Sequence, residues 1–380
     1  MTRKLRAKVL VPALAGAAMT IAAAGSMAGA TTSAHDVHTS REASRHVELR
    51  VQPPAGGTIS EAGSSLLYPM WNVWAPAYET AYPSVTLQTA AGGSGKGISY
   101  AINGTVQIGA SDAYLSSSDL QQDPALENIP LAISTQEVFY HLTGVTAHLR
   151  LSGKLLAEIY QGKVTKWNAP AVRSLNPGAK LPDIPIVALH RSDGSGDSFL
   201  FTTYLSDSTS VWAKKVGYNT SVTWPKAPHE LGETGNSGMV AGCKATPGCI
   251  AYIGISYQTQ ALGDGLTYGR LKDGVGQYVM PTQKTIANEA AGFAAKTPKT
   301  GAISMIDGKI RTGYPIINYE YAIVSKKQPS ANVAKTVRSV LEWVIDPTDG
   351  NTPSYLSQVN FRPLPAKVAD NSYTQIQAIK

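Results

Sequence analysis

Three short loops rich in glycine and serine constrain this chain more than any other feature. EAGSSLL (61–67), GGSGKG (92–97) and DGSGDS (193–198) each stand where a strand-like segment gives way to a helix-like one. Around them the apolar residues change period. LLYPMWNVWAPAYETAY (66–82) puts Leu67, Met70, Trp71, Trp74 and Tyr78 near helical spacing, and VTLQTAA (85–91) alternates as a strand. KGISYAING then reads as a helix and VQIGAS (106–111) as a strand. The rhythm recurs. LSGKLLAEIYQGKVTKW (151–167) is an amphipathic helix, IPIVALH (184–190) a buried-type strand, and DGSGDSFLFTTYLS (193–206) a turn entering a helix. GCIAYIGISY (248–257) and INYEYAIVS (317–325) are strands, and ANVAKTVRSVLEWVID (331–346) is a helix with Val333, Val337, Val340, Leu341 and Val344 on one side. Repeated strand, glycine turn and helix define an α/β protein. At 380 residues, against roughly 100–200 per domain, the economical arrangement is two lobes.

The loops favour an anion. The first N–H groups of a helix lack intrahelical partners and carry the positive end of its dipole, and small residues let a ligand approach them. Caps and turns explain any one such loop equally well; three of one chemistry point to a shared ligand. AAGGSGKG imitates a P-loop, but that pattern needs glycine at Ala90 and a hydroxyl at Gly97, so no ATP site is expected. A nucleophile elbow is also missing, because Lys96 and Asp197 stand where its second glycine belongs. The seven histidines show no H-E-x-x-H spacing, and His190 reads as a strand-end residue rather than a base.

Arg191 directly follows the strand 184–190, where side chains reach the crevice beyond a sheet's carboxyl edge. Its guanidinium is permanently charged and bidentate, suited to a tetrahedral oxyanion, and Asp193 nearby is placed to hold it in aim. Asp112 also follows a strand, and Asp197 lies six residues beyond Arg191. Singly, each acid is explained as a helix cap or first-turn acid. Together with an arginine they imply more. A buried carboxylate repels a fully ionised anion such as sulfate, whereas phosphate near neutrality keeps a proton to donate to it. A site built to receive that hydrogen rejects analogues lacking it by factors of about 10⁴–10⁵.

The N-terminus reads as a targeting segment: Arg3, Lys4, Arg6 and Lys8, an apolar stretch over 9–25, then Ala28-Gly29-Ala30. That stretch is broken by Pro12 and shorter than the ~20 residues a membrane span needs, so residues 1–30 are expected to be a cleaved signal peptide. Removing them lowers the formal charge from +7 to +3. The remainder has no basic run interleaved with aromatics, so nucleic acid is not an expected partner. Residues 31–57 are polar, carry Pro53-Pro54 and read as a flexible tether. Cys243 and Cys249 bracket Pro247-Gly248, which in an exported chain reads as one local disulfide; a zinc site would need further ligands.

Taken together, EAGSSLLYPMWNVW, GGSGKGI, GTVQIGASDAYLS, LHRSDGSGDSFLFTTYL, GNSGMVAGCKATPGCIAYIGISY and YPIINYEYAIV resemble the phosphate-binding proteins of bacterial phosphate-specific ABC transporters. The resemblance covers nearly the whole chain beyond the tether. The cysteine pair and the GSGDS spelling are similar to the actinobacterial, mycobacterial-type branch. The resemblance implies an α/β, two-lobed periplasmic-binding-protein fold of type II, with a ligand cleft between lobes and two hinge strands. It implies lobe 1 over 58–133 plus 314–380 and lobe 2 over 134–313. It implies phosphate contacts from Ser65, Leu66 (N–H), Ser94, Asp112, Arg191, Ser195, Gly196 and Asp197, with no metal, cofactor or covalent chemistry. Asp197 stands where relatives use threonine, which suggests a second acceptor and a preference for more protonated phosphate. Lys96, often glycine or alanine in the family, is expected to face solvent. Gly25 occupies the position of a lipoprotein's acylated cysteine, so the chain is expected to be secreted, periplasmic or held at the surface by partners. The expected partners are inorganic phosphate and a permease with a separate ATPase, bound by a monomer. A secreted phosphatase, an adhesin or antigen on the same scaffold, and a binder of another tetrahedral oxyanion are the alternatives.

Overall fold

The computed structural model describes residues 49–380. The expected signal peptide (1–30) and most of the expected tether (31–57) lie outside the described residues. Residues 49–56 form no helix or strand, yet Leu49 and Val51 pack on the core and the Gln52 N–H donates to Glu342 Oε2 at 2.7 Å.

The longer strands are β1 (Gly57–Gly63), β2 (Val85–Ala91), β3 (Ile108–Ser111), β4 (Leu126–Tyr140), β5 (Val187–Arg191), β6 (Glu230–Glu233), β7 (Cys249–Gly254) and β8 (Ile316–Ser325). The helices that frame the site are α1 (Tyr68–Ala81), α2 (Ser94–Ile102), α3 (Gly153–Tyr160), α4 (Gly196–Ser208), α5 (Gly235–Ala245) and α6 (Ala331–Ile345). In one sheet the order is β2-β1-β3-β8-β4-β7-β5-β6. β1 runs parallel to β2 and β3, and β5 parallel to β6 and β7, whereas β4 and β8 pair antiparallel with their neighbours.

β4 joins the two halves of this sheet. Up to Thr135 it pairs with β8, and from Gln136 onward it pairs with β7. Its 15 residues span about 50 Å, long enough to serve both lobes. The β4–β8 register slips where Glu320 faces Ala132 but Tyr321 faces Pro130. A proline has no N–H for the ladder and is tolerated at such a bulge. Along β4 alternate side chains share a face, so Ser134 and Gln136 point the same way. The antiparallel register adds Asn318 and Glu320 of β8 to that face.

The core follows from the apolar periods. Trp71, Trp74 and Tyr78 of α1 are fully buried, with the Trp74 indole donating to the Gly350 carbonyl at 2.8 Å and the Tyr78 hydroxyl to Ser339 at 2.7 Å. On α6, Val337, Val340, Leu341 and Val344 are buried and Val333 half-buried. The expected helix over 151–167 stops at Tyr160, because Gly162 takes a left-handed φ of 67° and turns the chain. The expected strand over 248–257 ends at Gly254 and continues as a 3₁₀ turn, Ile255–Tyr257. Cys243 and Cys249 form the expected disulfide, with Cα atoms 5.3 Å apart, tying the end of α5 to the start of β7. Among the described residues no helix is long and apolar enough to cross a membrane.

Candidate functional site

The carboxyl ends of β1, β3 and β5 open onto one place, as expected where ligands meet an α/β sheet. Each strand there passes into a glycine–serine turn. After β1, Ser64 folds back so that its hydroxyl accepts from the N–H groups of Leu66 and Leu67 at 3.1 and 2.9 Å, which starts α1. That hydroxyl also donates to Asp112 Oδ1. Ser94, the first residue of α2, accepts from the Asp112 N–H at 3.1 Å and donates to its Oδ2 at 3.3 Å. Asp112 is 2% exposed.

From the other half of the sheet come Arg191, 3% exposed at the end of β5, and Asp197, 1% exposed in the first turn of α4. The Arg191 Nε and Nη2 atoms grip Asp193 at 2.6 and 2.5 Å, and Nη1 meets Asp197 Oδ2 at 2.7 Å. A guanidinium has five N–H groups, so this grip leaves two for another acceptor. Asp193 thus holds the fork in aim, as the sequence suggests. Ser195 caps α4 by accepting from the Ser198 N–H at 3.2 Å.

The two halves touch. The Gly95 N–H donates to the Gly194 carbonyl at 2.9 Å, and Asn236 of α5 bonds Ser65 Oγ through its N–H and Nδ2, both at 3.1 Å. Asn236 Nδ2 also meets Asp197 Oδ2 at 2.7 Å, and its Oδ1 accepts from the Gly254 N–H at 2.8 Å. Gly196 lies so close to the Asp112 carboxyl and Ser94 hydroxyl that a methyl group there would collide with both. Ser65, Ser94, Asp112, Arg191, Gly196 and Asp197 are joined in this cluster, with Asp112, Arg191 and Asp197 buried together, while the Ser195 hydroxyl caps α4. The Leu66 N–H is taken up by Ser64, whereas the N–H groups of Ser65, Ser94, Gly196 and Asp197 meet no acceptor among the described residues. Lys96 is exposed, as expected.

Sequence reasoning missed Ser64, Gln136, Asn236, Asn318 and Glu320. Gln136 donates to the Asp197 carbonyl and Oδ1 at 2.9 and 3.2 Å, so the crossover strand itself touches the site. The run of four consecutive polar residues STQE (134–137) inside an otherwise apolar segment was the available signal; the site loops drew attention instead.

The electrostatics are dominated by burial. Loss of water, with Asp197 nearby, pushes the Asp112 carboxyl up to about 7 despite its hydrogen bonds and Arg191. Burial likewise raises Asp197, while Arg191, Gln136 and Asn236 pull it back. Burial disfavours the Arg191 charge, but Asp193 and Asp197 outweigh it and hold the guanidinium firmly protonated. Burial would raise Asp193 too, yet Arg191 keeps it below the usual carboxylate range. His190 stacks on Trp224, ring centroids 4.9 Å apart. Among the described residues no cluster of three or more His, Cys, Asp or Glu side chains is placed to hold a metal. Recesses of 670 Å³ beside Lys163, Arg173 and Asp183, 610 Å³ beside Asp207, Asp273 and Asp307, and 340 Å³ beside Leu49, Ile345 and Leu364 contain neither the glycine–serine loops nor Arg191.

Residues 50–348 match the model of the PBP superfamily domain. A phosphate-binding protein PstS of Xylella fastidiosa is 33% identical over 322 residues, covering 84% of each chain. The phosphate-binding protein PstS2 of Mycobacterium bovis is 31% identical over 73% of this chain and 76% of its own. In fold, a high-affinity periplasmic phosphate-binding protein solved with phosphate superposes with a TM-score of 0.66 at 20% identity, over 82% of this chain and 92% of its own. The architecture is the two-lobed type II fold of that group. With a third of its residues shared along most of its length, the chain belongs to the PBP superfamily and, within it, to the PstS family of phosphate-binding proteins.

Proposed function

We propose that this chain captures inorganic phosphate between its lobes and hands it to a membrane permease driven by a separate ATPase. One observation carries the reading: Asp112, Arg191 and Asp197, from opposite halves of the sheet, are buried together beneath helix N-termini whose leading N–H groups are unspent. A tetrahedral anion accepts from N–H groups, hydroxyls and guanidinium, and a carboxylate accepts only if the anion brings a hydrogen. Phosphate does so near neutral pH, and sulfate does not.

The reading assigns contacts to Ser65, Leu66, Ser94, Asp112, Arg191, Ser195, Gly196 and Asp197. It divides the lobes at residues 58–133 plus 314–380 and 134–313, with β4 and the start of β8 as hinges. Closure is favoured by ligand because only the closed form brings both lobes' groups onto it. The protein works outside the cytoplasm as a monomer. The curated relatives are named as binding proteins, and the role proposed here is capture rather than turnover. Calorimetric titration of ligand-stripped protein with phosphate tests this. Phosphate binding without p-nitrophenyl phosphate hydrolysis is the expected result; hydrolysis would favour the phosphatase alternative.

A further inference from the structure

Behind Asp112 stands a second buried acid that phosphate capture leaves unused. Glu320 is fully buried in β8, next to the β3–β8 pair Tyr321 and Ser111. Continuing that antiparallel register by one residue puts Glu320 opposite Asp112, with both side chains on the same face. Each carboxyl acts on the other's titration, Asp112 raising Glu320 and Glu320 lowering Asp112, as a proton donated from Glu320 toward Asp112 would do. Glu320 Oε1 accepts from Ser134 Oγ at 2.5 Å and Asn318 Nδ2 at 3.1 Å. Its Oε2 meets no donor among the described residues.

Two facing carboxylates cannot both accept; one must bring a hydrogen. Oε1 takes Asn318 Nδ2 and shares the one Ser134 hydrogen with Asn318 Oδ1, 2.7 Å from that hydroxyl, whereas Oε2 has no donor and is the oxygen free to carry a proton. Asp112 already takes the hydroxyls of Ser64 and Ser94. The charged groups around the pair are Arg191, Asp193 and Asp197, where two carboxylates already outnumber the one guanidinium. Tyr321, packed beside Glu320, is buried and uncharged at neutral pH. No cation remains in that set to balance an ionised Glu320.

We propose that Glu320 is the proton-bearing partner of Asp112, and that the two carboxyls share one proton as a single acceptor against which the bound anion's own hydrogen is read. The proposal rests on the phosphate reading of the site and deepens it. Glu320 is a positioning residue: it touches Asp112 rather than ligand. Desolvation, with Asp112 as the next cause, raises its carboxyl well above the ordinary range, in keeping with a neutral acid. While the proton stays, Asp112 keeps a lone pair aimed at the cleft without adding a second buried charge. When alkali removes it, the acceptor becomes doubly negative and repels an anion.

The test compares wild type with E320Q, which keeps the shape, the acceptor oxygen and a donor toward Asp112 but cannot titrate. Infrared spectra of the ligand-free proteins at neutral pH should show a protonated-carboxyl C=O band in wild type that E320Q lacks. Calorimetry with phosphate should find E320Q within about threefold of wild type at pH 7, with a loss of affinity from pH 7 to 9 that is roughly tenfold smaller. A wild-type spectrum without the band, or a band unchanged in E320Q, overturns the shared proton, as do coincident pH profiles. D112N separates the two readings. If it binds phosphate like wild type, the acceptor role in capture fails, while the infrared comparison of wild type and E320Q still judges the carboxyl pair.

Discussion

Asn236 Nδ2 lies 3.1 Å from Ser65 Oγ and 2.7 Å from Asp197 Oδ2, joining the loop after β1 to the first turn of α4. The contact crosses 171 residues of sequence and exists only while the halves of the sheet are together. Truncation in N236A would leave Asp197 short of a donor and the Gly254 N–H without its acceptor. Each such loss costs about 1–3 kcal/mol. Phosphate affinity is expected to fall at least about tenfold, read by calorimetry, with a larger radius of gyration by small-angle scattering.

Gly196 gives the sharpest steric prediction. In G196A a methyl group would enter the space of the Asp112 carboxyl and the Ser94 hydroxyl, so closure is blocked while α4 keeps a good helix former. Circular dichroism should be unchanged and phosphate binding lost by roughly a hundredfold or more, since overpacking here costs about 1–3 kcal/mol or more.

The reading of the sequence succeeded where chemistry and local shape coincide. Glycine–serine turns, Arg191 at a strand end and Asp112 after a strand are each visible in a few consecutive residues, and all three reach the site. Asn236 was hidden because α5, GNSGMVAGCKA, has a weak apolar stripe and its side chain works through tertiary contacts. β4 was missed because Pro130 interrupts it, although the bulge at that point accommodates a proline. Glu320 lies within a strand that was recognised, but its role depends on register against β3, which alternation alone does not supply. The helix over 151–167 ran too long because an apolar pattern continues past Gly162, where the backbone turns left-handed.

Burial of Asp112 makes the ligand-free protein sensitive to pH. Its carboxyl is raised from an ordinary value of 3.8 to about 7, so between those limits the buried Asp112–Glu320 pair holds more protons than the same two groups do in the unfolded chain. Stability from this group is therefore complete below about pH 4 and is lost as pH rises through about 7. The melting temperature of phosphate-free protein should fall by several degrees from pH 5 to pH 8, and D112N should flatten part of that slope.

Phosphate affinity should decline over the same direction. Above neutrality both the anion and the acid pair lose protons that the complex must retain, so binding takes up hydrogen ions and weakens by up to about tenfold per pH unit for each proton taken up. Calorimetry between pH 5 and 9 in buffers of different ionisation enthalpy measures both quantities. A flat profile or a stronger complex at pH 9 would count against Asp197 and Asp112 as paired acceptors.

The disulfide is expected to act on stability alone. Cys243–Cys249 closes a six-residue separation beyond the site, so replacing both by serine should cost roughly 2 kcal/mol and a few degrees of melting temperature. Affinity for phosphate should stay within about twofold, because no contact residue bonds either cysteine.

The central claim is that a carboxylate selects an anion by its hydrogen. Parallel titration of ligand-stripped wild type and D112N with phosphate and sulfate at pH 7 tests it directly. Wild type should prefer phosphate by about 10⁴ or more, and D112N should lose most of that preference. Comparable affinities for the two anions in wild type, or an undiminished preference in D112N, would contradict it.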